Sequence, residues 1–80
     1  MKKITFRADR SEYVGETVFD IVEQLRGDSH DMAGSQLEFM AAVAKRAQIR
    51  YNRAVRTDSA IHFLRDLERL GEGRLVKEIL

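Results

Sequence analysis

The side chains of this chain that could move a proton or hold an ion are its carboxylates and two histidines, because cysteine is absent. Glu12, Glu16, Asp20 and Glu23 recur at spacings of four, four and three, which on a helix would align them along one ridge. Paired carboxylates serve as acid and base only when burial drives their pKa values apart. A ridge opposite an apolar stripe stays hydrated, so this one reads as a solvated face. His30 lies in a polar loop with Asp28 and Asp31, too few converging donors for a metal ion that needs three or four. His62 and Asp66 are one helical turn apart and are expected to pair at the surface. Without a thiol there is no cysteine nucleophile, thiolate metal site or disulfide framework. No glycine-rich phosphate loop occurs, and no serine has a base nearby. The residues point away from an enzyme; no metal, other cofactor or small-molecule substrate is expected.

A basic cluster is the stronger chemical signal. Lys45, Arg46, Arg50, Arg53 and Arg56 fall within twelve residues that contain no acid. Four of the five are arginine, whose planar fork suits bidentate contact with phosphate or carboxylate. The charge around them is segregated. Residues 1–10 sum to +3, residues 11–44 to −6, residues 45–56 to +5 and the remainder to −1, giving +1 in total. Such segregation speaks of partners, and two readings follow from it. The basic cluster is a binding face for nucleic acid or protein, or it is neutralised by the acidic segment that precedes it.

These side chains need a scaffold, and eighty residues make one domain, 1–80. A chain this short buries roughly 60% of the surface its unfolded form exposes, so its core is marginal. The longest apolar run, Phe39 to Ala44, is six residues, far below a membrane span. Lys2 and Lys3 precede no signal-peptide core, and the lack of cysteine favours a reducing compartment, so a cytoplasmic protein is expected.

Ile4, Phe6 and Ala8 alternate with Lys3, Thr5 and Arg7, which predicts a strand over about 3–8. Val14, Val18, Ile21, Val22 and Leu25 form a helical stripe, predicting a helix over about 12–26. Its start could be capped by Asp9 with Glu12, or lie nearer Thr17 because Gly15 is a poor interior residue. Ser35 to Glu38 reads as a capping box opening a helix over 36–56. Leu37, Met40, Ala41, Ala44, Tyr51 and Val55 would be its inner sector, with alanines that let another helix approach closely, and the basic cluster would lie opposite. Thr57-Asp58-Ser59 caps a helix over 59–70, whose apolar face is Ala60, Phe63, Leu64, Leu67 and Leu70. Residues 74–80 read as a further short helix, with a strand as the alternative for so brief a run. The expected class is therefore mainly α (α+β): a short N-terminal strand followed by three to four helices. A lone strand leaves backbone groups unpaired, so residues 74–80 or a second copy must complete it.

Strand, helix, loop and capped second helix over residues 1–56 resemble the ribbon-helix-helix DNA-binding proteins. The resemblance implies a homodimer whose paired N-terminal strands enter the major groove. It would make Lys3, Thr5 and Arg7 the base readers, put Ile4 and Phe6 in the dimer core, and set Ser35 and Gln36 against a phosphate. The loop of about eight residues and the added segment 57–80 depart from that family's minimal pattern. The function expected is a homodimeric DNA-binding regulator. The alternative is a protein-binding adaptor or inhibitor, of the kind mobile genetic elements also encode, working through charged helical faces. The expected partner is thus DNA or a protein, with no membrane involved.

Overall fold

Ile4 and Phe6 drive the opening segment into the core, and the segment becomes the middle of a sheet. The computed structural model describes residues 2–8, 10–28 and 34–79, with the backbone alone at residue 2 and at residues 77–79. Its elements are β1 (Lys2–Arg7), β2 (Glu12–Gly15), α1 (Val18–Asp28), α2 (Gln36–Tyr51), α3 (Ala60–Arg69) and β3 (Arg74–Ile79). The strands form one antiparallel sheet in the order β2-β1-β3. Phe6 stands opposite Tyr13 and Leu75, and Thr5 opposite Val14 and Val76. The described residues thus form a small α+β domain with three helices and a sheet built from both ends of the chain, in place of a lone strand followed by three or four helices.

Two segments expected as helix are strand. Val14 lies four residues before Val18, a spacing that fits a helical stripe, yet Tyr13 alternates with it and turns its ring toward the core. Gly15 ends β2 where a Cβ would come within 2.7 Å of the Asp20 Cβ. The helix then starts on a reciprocal box. Thr17 Oγ1 accepts from the Asp20 amide at 3.2 Å, and the Asp20 carboxylate accepts from the Glu16 and Thr17 amides at 3.2 Å each. Asp20 is therefore a cap, Glu12 a strand residue and Glu16 a turn residue, so the expected acidic ridge does not exist as one surface. The alternative cap, Asp9, lies outside the described residues, as does His30.

Residues 74–79 extend because the chain leaves α3 in a tight reversal. The Gly71 amide donates to Glu68 O and the Glu72 amide to Leu67 O, both at 3.0 Å, with Gly71 at φ 79. Gly73 then passes so close to the Phe6 ring that a Cβ would overlap it. Leu75 enters the core beside Phe6, and its amide donates to the Glu68 carboxylate at 3.0 Å.

The other two helices begin as their caps predict. Ser35 Oγ accepts from the Glu38 amide and Ser59 Oγ from the His62 amide, both at 3.2 Å. The Glu38 carboxylate reaches Gly34 N at 3.0 Å instead of Ser35. α2 stops at Tyr51, short of Arg56, because Asn52 turns left-handed at φ 54, donating its amide to Gln48 O at 3.0 Å. The inner face of α2 is also rotated from expectation. Phe39, Met40 and Ala47 are buried, while Leu37, Ala41 and Tyr51 face water.

The core joins Ile4, Phe6 and Leu75 of the sheet to Ile21 and Val22 of α1 and Phe63, Leu64 and Leu67 of α3. Burial of side chains of this size is worth about 1.5–3 kcal/mol each. α1 lies against β1 and β2, and α3 against β3. The α2 backbone comes close to α1 but not to the sheet, and Phe39 bridges to α3 by meeting the Phe63 ring edge-on at 6.1 Å. Among the described residues no helix is long and apolar enough to cross a membrane.

Candidate functional site

Lys3, Thr5 and Arg7 do share the outer face of the sheet, but the strand that carries them is not at an edge. β1 is hydrogen-bonded to β2 along one side and to β3 along the other. Of the two completions open to the strand, the chain's own C-terminal segment supplies one, and β2 adds a second. A ribbon with another copy would need an unpaired edge on β1. Thr5 is 7% exposed and sits between Val14 and Val76, whereas Lys3 and Arg7 are exposed. Arg7 pairs with Glu12 at 3.3 Å, and Arg74 stands opposite it on β3. At the start of α2, the Gln36 side-chain amide donates to Phe19 O at 3.2 Å and Glu23 Oε1 at 3.3 Å, fastening α2 to α1.

The basic cluster divides into parts with different work. Arg56 is a structural anchor: its backbone N donates to Asp66 at 2.8 Å, and Nε and Nη2 each donate at 3.0 Å. Asp66 is buried, and its carboxyl is held down to about 2 by hydrogen bonds from Arg56, against the opposing effect of desolvation. The same bonds raise Arg56. Because Asp66 is taken, His62 pairs instead with Asp58, at 3.0 Å, and this hydrogen bond lowers the Asp58 carboxyl. Arg53 lies beyond the end of α2. Lys45, Arg46 and Arg50 remain on the helix, where 100° per residue sets Lys45 well away from Arg50. Arg46 and Arg50 stand together; Lys45 faces elsewhere.

Arg46 and Arg50 line an open concavity beside α2. Beside the C-terminal half of α2 lies an open groove of about 600 Å³. Phe6, Phe39, Phe63 and Leu67 form its floor, and these belong to the core itself. Val43, Ala47 and Ile49 form the α2 wall, with Ile49 76% exposed. Glu72 faces Tyr51 across the mouth, where the Tyr51 hydroxyl donates to its carboxylate. An apolar floor with a few placed polar groups is the usual make-up of a binding site.

Among the described residues no three histidine, cysteine, aspartate or glutamate side chains converge as metal ligands. No known family model, curated protein or solved structure matches the chain.

Arg46 and Arg50 were legible as two members of a five-residue basic cluster, but the groove they border was not. Its signal is Ile49, an apolar residue set inside the most basic stretch of the chain. Asp66 carried a signal too, as an acid three residues after Phe63 on the apolar side of α3.

Proposed function

We propose that this chain is a protein-binding module, an adaptor or inhibitor, that receives an apolar segment of a partner in the groove beside α2. Arg46 and Arg50 engage carboxylates flanking that segment. The observation that carries this reading is an open groove bordered by two arginines and the exposed Ile49 and Tyr51, with the buried core aromatics Phe6, Phe39 and Phe63 beneath it. An apolar anchor entering such a site adds burial, and the arginine forks supply orientation and selectivity. A helical peptide with leucines at i and i+4 flanked by glutamates is the matching probe. Titrated into isotopically labelled protein, it should shift the amides of residues 46–51 and 67–72 saturably. Shifts scattered over the surface, or none, would contradict the proposal.

A DNA-binding reading rests on a separate observation, the exposed Lys3, Arg7 and Arg74 on one face of the sheet. Duplex DNA in the same titration at low salt tests it. Shifts centred on β1 and β3 that vanish steeply with added salt would favour DNA over the groove.

A further inference from the structure

The side of α2 that faces away from Arg46 and Arg50 is largely exposed, and its residues repeat in a pattern that suits another helix. Leu37, Ala41, Ala44, Gln48 and Tyr51 follow one another at spacings of four, three, four and three. That is the repeat of a coiled-coil seam, whose side chains form one line on a helix. Leu37, Ala41, Ala44 and Tyr51 were expected on the inner face of α2; Leu37, Ala41 and Tyr51 instead face water, and Ala44 is partly buried. Leu37 is 62% exposed and Tyr51 41%, and Ala41 and Gln48 are exposed as well. Phe39, Met40 and Ala47 hold α2 to the body, and of the five seam residues Ala44 alone packs against the core.

We propose that the seam pairs with the seam of a second copy of this chain, the two α2 helices running antiparallel about a two-fold axis. Charge selects both the occupant and the direction. Glu38 and Lys45 lie on the same flank of the seam, seven residues apart, both exposed. In an antiparallel pair, positions of this flank face each other, so Glu38 of one copy meets Lys45 of the other, and symmetry repeats the contact. In the same register Leu37 packs over Gln48 of the second copy, and Ala41 over Ala44. The alanines at the centre let the two backbones come close, and Leu37 closes each end. The seam spans about 21 Å from Leu37 to Tyr51, a length that suits a reversible dimer. The pairing leaves Arg46 and Arg50 uncovered and shares with the groove lining Tyr51 alone, at the end of the seam, so it can be tested apart from the groove reading.

Sedimentation of the full chain tests this. The mass should rise from 9.2 kDa toward twice that value as concentration increases roughly a hundredfold. Ala41→Glu, at an exposed position that puts two like charges near the centre of the seam, should hold the chain at the monomer mass with its helical signal intact. Glu38→Lys and Lys45→Glu should each weaken self-association about tenfold or more, and the two variants mixed should recover it as a heterodimer. A monomer at every concentration overturns the proposal. So does a dimer indifferent to these variants, or a peptide or DNA titration whose shifts centre on Leu37, Ala41 and Ala44.

Discussion

Asp66 is the residue on which the tertiary structure turns most sharply. It is the buried acid of α3 and gathers the Arg56 backbone amide and guanidinium, fixing the extended segment between α2 and α3. Removing it leaves the Arg56 donors to water and opens the space beneath them, so Asp66→Ala should lower stability by about 2 kcal/mol in a denaturant titration. The acid limb follows from its depressed carboxyl. A folded-state value of about 2 against an ordinary 3.8 means the contribution is complete above pH 4 and is lost as pH falls toward 2. Thermal unfolding between those limits should be less steeply pH-dependent in Asp66→Asn than in the parent chain. An unchanged acid limb would remove Asp66 from this role. The sequence places Arg56 in a basic cluster and nothing local distinguishes it from Arg53. The distinction is made by a carboxylate ten positions later, and only the turn after α2 brings the two together.

At the scale of elements, caps were more legible than periodicity. Ser35 and Ser59 start the helices they were expected to start, because a hydroxyl accepting from an amide three residues on depends on neighbouring residues alone. Helix or strand for residues 12–15 and 74–79 depends on who sits beside them. Val14 fits a helical stripe and a strand equally, and Leu75, Val76 and Ile79 fit both as well. The sheet decides, since β1 has two open sides and both segments fill them. The same reasoning moves the start of α1 to the Thr17–Asp20 box. Thr17→Ala should therefore cost about 1 kcal/mol, measured by the shift in denaturant midpoint. No loss would mean that the helix is held by packing alone. The α2 stripe was misjudged because the helix carries apolar residues on two sides. One side meets the body through Phe39, Met40 and Ala47, and the Leu37–Tyr51 line faces out.

For the whole molecule, the fold joins the two ends of the chain in one sheet and leaves α2 only partly embraced. β1, bonded on both sides, should hold the slowest-exchanging amides, those of Thr5 and Phe6, which open only with global unfolding. The last turn of α2, which lies beside the groove, should exchange by local opening. Rapid exchange at β1 would argue against a central strand. A body with a firm sheet and a half-free helix suits docking, since the groove wall can adjust to its occupant while the floor stays fixed. Arg50 borders the groove and lies far along the chain from the sheet's Lys3 and Arg7. Calorimetric titration of the leucine–glutamate helical peptide into the parent chain, Arg50→Glu and the Lys3→Ala/Arg7→Ala double variant is the most direct trial. The account predicts that Arg50→Glu loses about tenfold in affinity, ~1.4 kcal/mol, while the double variant binds as the parent does. Equal binding by Arg50→Glu, or loss confined to the sheet variant, would contradict it.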